Sequence, residues 1–98
     1  MALEMHILIE KEKDLYSALC LELNIASQGK TIKEAEKNIK EAIDLYLEDV
    51  WESGEEKEFI PRPAPVEEWL KYFQKRADDI KGDILKNREI ILLEAIIG

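Results

Sequence analysis

The sequence predicts an α+β fold of two layers, in which an antiparallel sheet of three to four strands carries a helix on one face. Residues 3–28 contain runs that alternate between apolar and polar side chains, the pattern of half-buried strands. Residues 31–53 then repeat apolar side chains at helical spacing, so that one helix can cover the sheet. A further helix and an apolar strand follow, and the 98 residues suffice for one domain with a modest core.

The first strands are predicted from alternation. Residues 3–10 place Leu3, Met5, Ile7 and Ile9 on one side. After a charged turn at residues 11–14, residues 15–23 alternate again, which predicts an antiparallel hairpin. A short third strand is expected around residues 25–28.

The first helix is predicted to begin at Thr31, whose hydroxyl can cap it, with Glu34 completing a capping box. We expect it to run to about Ser53, with Gly54 at its end. Its apolar positions are Ile32, Ala35, Ile39, Ile43, Tyr46, Leu47 and Val50.

The second half of the chain is predicted to hold one helix and one or two strands. Residues 59–61 can form a short edge strand, and three prolines then stiffen the chain before a helix over residues 66–80 that Gly82 ends. Residues 90–97 are apolar at seven of eight positions, which predicts either a buried strand or a segment that pairs with a second copy. We therefore divide the chain into a β-β-β-α-β core over 1–60 and a helix–strand extension over 61–98, which belongs to the same domain or to an oligomer interface.

The charge of the chain disfavours nucleic acid as a partner. The net charge is −8, and residues 1–65 hold 15 acidic against 8 basic side chains, a net of −7. This imbalance favours a basic protein partner, although charge also simply confers solubility.

The single cysteine fits a reducing compartment, and neither a signal peptide nor a membrane span is apparent, so we expect a soluble cytoplasmic protein.

An acidic stripe on the predicted first helix is the candidate partner surface. Asp44, Glu48 and Glu52 are spaced four residues apart, and Glu55 follows. Like charges at this spacing repel each other, and acids near a helix C-terminus oppose its dipole. A basic partner would compensate both effects, whereas a solvated face would merely tolerate them.

The segment from strand two through the first helix resembles the HicB-like antitoxin family. The matching residues are Tyr16, Ala18, Cys20, Glu22-Leu23, Ser27-Gln28-Gly29, Thr31, Glu34-Ala35, Asn38-Ile39, Glu41-Ala42-Ile43 and Leu45-Tyr46-Leu47-Glu48. The resemblance implies a partial ribonuclease H fold and a partner, a small basic RNA-cleaving toxin of the HicA type that the antitoxin blocks sterically. The alternative is a stand-alone regulatory or structural module that has the same core and no toxin.

The resemblance does not extend to DNA binding. Many members carry a C-terminal ribbon-helix-helix or helix-turn-helix segment, whereas residues 66–98 predict a helix and then an apolar strand. We therefore expect no operator binding.

We expect a homodimer or a higher even oligomer, because an exposed apolar edge would be costly in a monomer. The candidate oligomer contacts are Ile90, Ile91, Leu92, Leu93, Ile96 and Ile97.

Neither catalysis nor a cofactor is predicted. A nuclease of the ribonuclease H type needs three or four convergent carboxylates for its metal ions, and nothing in the sequence brings Glu4, Glu10 and Glu22 together. His6 is the only histidine, and without a second His or a nearby Cys we expect no metal site. Cys20 is expected to be a small buried thiol rather than a nucleophile. The turn at residues 27–29 could bind a ligand, but a structural turn is the stronger interpretation, in which Gly29 supplies a permissive backbone angle and the polar side chains satisfy local amides.

Overall fold

The computed structural model describes residues 3–53, 63–82 and 90–97. The expected strand at residues 59–61 and the acidic Glu55 lie outside this part of the chain. The elements are β1 (Leu3–Glu12), β2 (Leu15–Cys20), β3 (Ile25–Gly29), α1 (Ile32–Ser53), α2 (Val66–Ile80) and β4 (Ile90–Ile97). Among the described helices, none is long and apolar enough to cross a membrane.

The four strands form one antiparallel sheet in the order β3-β2-β1-β4. The apolar run at residues 90–97 is thus a strand of the chain's own sheet, with Ile90 opposite Glu10 and Ile97 opposite Leu3. β3 and β4 are its two edges. This arrangement confirms the predicted α+β class with its antiparallel sheet.

The two helices pack on opposite faces of the sheet. On one face, Ile7 and Ile9 of β1 and Cys20 of β2 form a core with Ile39 and Ile43 of α1. On the other face, Leu8 and Leu21 pack with Ala64 and with Tyr72 of α2. The predicted layers of sheet and first helix are present, and α2 adds a layer on the other side.

The junction between β3 and α1 is built as the sequence predicts, with one difference. The backbone N–H of Glu34 donates to Oγ of Thr31 at 3.0 Å, the expected helix cap, and the Asn38 side chain donates to the carbonyl of Gln28 at 2.8 Å. Gly29, however, is needed for space and not for a permissive backbone angle, since its φ is not positive. A Cβ there would lie 2.7 Å from the carbonyl carbon of Glu34.

α2 has the predicted bounds, but many of its apolar side chains face solvent. Tyr72, Lys75 and Asp78 are its buried residues. Four large apolar side chains on another side of the helix are between 56% and 78% exposed: Val66, Leu70, Phe73 and Ile80. We call these four residues the α2 stripe, because their spacing places them along one side of the helix. The helix ends at Ile80, and Gly82, whose φ is +77°, follows two residues later.

Candidate functional site

The outer side of α1 carries the acidic residues that the sequence singles out. Asp44, Glu48 and Glu52 are all exposed, whereas Ile39, Ile43 and Val50 lie in the core. Two large apolar side chains are also exposed on this part of the helix, Leu45 at 67% and Trp51 at 55%. The C-terminal half of α1 therefore presents acids together with an exposed tryptophan, a residue type enriched among binding hot spots.

Among the described residues, the ion pairs of α1 lie in its N-terminal half. Lys40 Nζ lies 2.9 Å from Oε1 of Glu36, and Lys37 Nζ lies 4.0 Å from Oε1 of Glu41. Among the described residues, none forms an ion pair with Asp44, Glu48 or Glu52, and the last turn of α1 holds no basic side chain. The negative charge of this surface, which we call the α1 acidic face, is thus uncompensated by its described neighbours.

The predicted oligomer contacts on β4 take part in the chain's own packing. Ile91 and Leu93 pack against the α1 side of the sheet, and Ile90 and Leu92 pack against the α2 side. The side chains of Ile96 and Ile97 are outside the described part of the structure. No described strand pairs with the outer edge of β4. In the described part of residues 63–97, the large apolar side chains that are exposed lie on the α2 stripe.

The β1–β4 register builds a polar cluster that the sequence pattern did not reveal. His6 lies opposite Glu94, and Glu4 precedes His6 by two residues on the same side of β1. Nδ1 of His6 lies 2.6 Å from Oε2 of Glu22, whose Oε1 also accepts the backbone N–H of His6 at 2.8 Å. Glu4, His6, Glu22 and Glu94 come together through the strand register and the turn after β2. From the sequence, only the alternation that places Glu4 and His6 on the same side of β1 could be predicted.

Two side chains of α2, Tyr72 and Arg76, contact this cluster. The ring of Tyr72 meets that of His6 edge-on at a centroid distance of 5.4 Å, and Nη1 of Arg76 lies 3.6 Å from Oε1 of Glu94. The Tyr72 hydroxyl is buried and has no hydrogen-bond partner among the described residues. Burial raises the pKa of Tyr72, and the negative charge of Glu94 adds to this rise while Arg76 opposes it.

The three carboxylates considered for nuclease chemistry do not converge. Glu4 and Glu22 both approach His6, but Glu10 lies further along β1, where its Oε1 is 3.3 Å from Nζ of Lys71. The hydrogen bond with Glu10 is the main cause that raises the pKa of Lys71. Cys20 is fully buried, as predicted, and burial raises the pKa of its thiol.

Comparison with known proteins gives one informative relative. The "UPF0150 protein" of Helicobacter pylori (strain J99 / ATCC 700824) is 42% identical over 64 residues, which are 60% of this chain and 86% of the relative. No protein-family model matches the chain, and no solved structure matches it either. A relative of this identity that is covered over most of its length establishes common family membership. The chain therefore belongs to the UPF0150 family, the group also called HicB-like.

Proposed function

We propose that this chain is an antitoxin that binds a small basic RNA-cleaving toxin of the HicA type and blocks it sterically. The observation that carries the proposal is the α1 acidic face, three carboxylates that form no ion pair with any described residue and lie beside the exposed Trp51. Membership of the HicB-like family supports it. A basic toxin would supply the positive charge that this face lacks.

The two components of the surface would act differently in binding. Asp44, Glu48 and Glu52 would attract a basic protein over long range and so raise the association rate. Trp51 and Leu45 would be covered in the complex, where a buried tryptophan commonly contributes much of the binding free energy. RNA is then excluded because the toxin surface that binds it is occupied.

The experiment uses a small basic ribonuclease of the HicA type, which the proposal expects to be encoded directly beside this chain. RNA cleavage is measured with increasing amounts of this protein, and the association rate is measured by stopped flow at low and high salt. We expect stoichiometric inhibition. The triple variant Asp44→Lys, Glu48→Lys, Glu52→Lys should associate at least about tenfold more slowly at low salt and with a weaker salt dependence.

The matched control is Glu12→Lys, Asp14→Lys, Glu67→Lys, which reverses three exposed acids away from α1. Both triple variants change the net charge from −8 by +6 to −2, so overall charge cannot separate them. The control should associate nearly as fast as the parent. Equal association rates for the two variants would show that the α1 acidic face is only a solvated surface.

The chain is also proposed to self-associate as a homodimer or a higher even oligomer. The α2 stripe is an uncharged row on one helix, and a two-fold axis would bring the same row of a second copy against it, burying both at once. The outer edge of β4, with which no described strand pairs, would offer a second contact through its backbone. Soluble monomers rarely leave so many large apolar side chains exposed in one row.

The alternative function, a stand-alone regulatory or structural module without a toxin, uses the same surfaces differently. In that case the α2 stripe would still be covered by a second copy, but the adjoining basic protein would not bind. Failure of that protein to be captured or inhibited would favour this alternative.

A further inference from the structure

The cluster around His6 has the composition of a site for a transition-metal ion. One imidazole nitrogen of His6 and one carboxylate oxygen each from Glu4 and Glu94 all lie within 4.8 Å of one another. The three residues come from two paired strands, β1 and β4, so their relative positions are fixed by the backbone ladder. One imidazole with two carboxylates is a ligand set that suits zinc and related dications.

Glu22 orients the imidazole of His6 and determines which ring nitrogen can bind a metal ion. An ionised carboxylate can only accept a hydrogen bond, so at 2.6 Å from Oε2 of Glu22 the Nδ1 of His6 must be the donor. In the neutral ring the lone pair then lies on Nε2, on the side of Glu4, whose Oε1 is 3.9 Å away. A carboxylate that orients a ligating histidine in this way is a general feature of zinc sites.

The buried side chain of Tyr72 packs against this cluster. Its hydroxyl makes no hydrogen bond of good geometry with any described residue, although Arg76 is close enough to interact with it and to oppose the rise in its pKa. A buried hydroxyl without a partner is costly. A water molecule bound to a metal ion at the cluster would give this hydroxyl a partner.

The local charge also favours a cation. Glu4, Glu22 and Glu94 contribute three negative charges, and Arg76, which is 3.6 Å from Glu94, contributes one positive charge, a sum of −3 + 1 = −2 with a neutral His6. A single divalent ion balances that sum. The sequence alone had predicted no metal site, because it showed neither the register nor the approach of Glu22.

We propose that Glu4, His6 and Glu94 bind one zinc ion, with Glu22 as the residue that positions His6. Zinc bonds of about 2.0–2.2 Å place tetrahedral ligand atoms roughly 3.4 Å apart, so the carboxylates must move inward. The side chains of Glu4 and Glu94 are 61% and 49% exposed and free to do so. The ion would join the edge strand β4 to β1 beneath α2.

The test is zinc titration of the purified, metal-free protein at pH 7.5, followed by calorimetry and by the midpoint of thermal unfolding. We expect one zinc ion per chain and a midpoint that rises with zinc concentration. Glu4→Gln and Glu94→Gln each remove one ligand at an exposed position and should weaken binding at least tenfold. Glu22→Gln should weaken it about 10–100-fold, as loss of an orienting partner does.

Two controls separate this site from other zinc binding. Glu12→Gln changes an exposed carboxylate of β1 away from the cluster, and Cys20→Ala removes the thiol; both should leave the affinity unchanged. Circular dichroism checks that each variant is folded. The proposal is overturned if zinc fails to bind at micromolar concentration, or if Glu4→Gln and Glu94→Gln bind it as tightly as the parent.

Discussion

Gly29 at the end of β3 lies so close to Glu34 that a Cβ on the glycine would be 2.7 Å from the carbonyl carbon of Glu34. The obstacle is the backbone of the first turn of α1, which cannot rotate away as a side chain can. Since the φ of Gly29 is not positive, the lack of space, and not the backbone angle, excludes other residues there.

Gly29→Ala should therefore destabilise the fold by about 2–3 kcal/mol, because the helix must shift from the sheet to admit a methyl group. Urea denaturation measures the change. Gly82→Ala is the informative comparison, since its φ is +77° and a Cβ there would meet nothing within 4 Å. That variant should lose only about 1 kcal/mol, from backbone strain alone. A smaller loss at Gly29 than at Gly82 would contradict the close approach.

The double variant Leu70→Glu, Phe73→Glu should abolish self-association. It places charge in the middle of the α2 stripe while leaving the buried side of α2 unchanged. Sedimentation should give a mass above 11.4 kDa for the parent and 11.4 kDa for the variant. Leu45→Glu, an equally exposed apolar position on α1, is the control and should behave as the parent. A monomeric parent at micromolar concentration would refute the oligomer.

Stability should fall as the solution becomes alkaline, in part because of Cys20. Burial raises the pKa of this thiol in the folded state, so the unfolded chain loses the proton first, at about pH 8.5. The contribution of Cys20 is complete below that pH and is lost as pH rises through the folded pKa. Urea denaturation at pH 8, 9 and 10 should show the difference in unfolding free energy between parent and Cys20→Ala shrinking with pH. A constant difference would mean that the thiol is accessible to solvent.

The isolated protein should cleave neither RNA nor DNA with magnesium or manganese. The trio that the sequence offers does not converge, because Glu4 and Glu22 meet at His6 whereas Glu10 is held by Lys71 elsewhere on β1. The carboxylates at His6 are proposed to bind one zinc ion, and nuclease chemistry of this type needs two metal ions. The assay uses labelled single- and double-stranded substrates. Cleavage that disappears in Glu22→Gln would show that the chain is an enzyme after all.

The regular elements could be predicted because they depend on local pattern. Alternation identified β1 and β2, and the capping residue Thr31 set the start of α1. The bounds of α2 also followed from spacing, since Gly82 and the preceding prolines limit it.

The side to which α2 turns could not be predicted. Its most apolar side is exposed, whereas Tyr72, Lys75 and Asp78 are buried, so hydrophobic periodicity alone would place the wrong residues against the sheet. The cluster at His6 was also hidden, because Glu94 reaches it only through the register of strands that lie far apart in sequence.

The pairing of β4 with β1 also affects how the chain folds during its synthesis. The partners Glu10 and Ile90 are separated by 90 − 10 = 80 residues, so a ribosome exposes the whole of β1, β2, β3 and α1 before the fourth strand exists. Until then one edge of β1 and the apolar side chain of Leu8 stay uncovered, a state open to pairing with another nascent chain. Closing so long a loop is slow, and the interval before β4 arrives is when this protein would most need a chaperone.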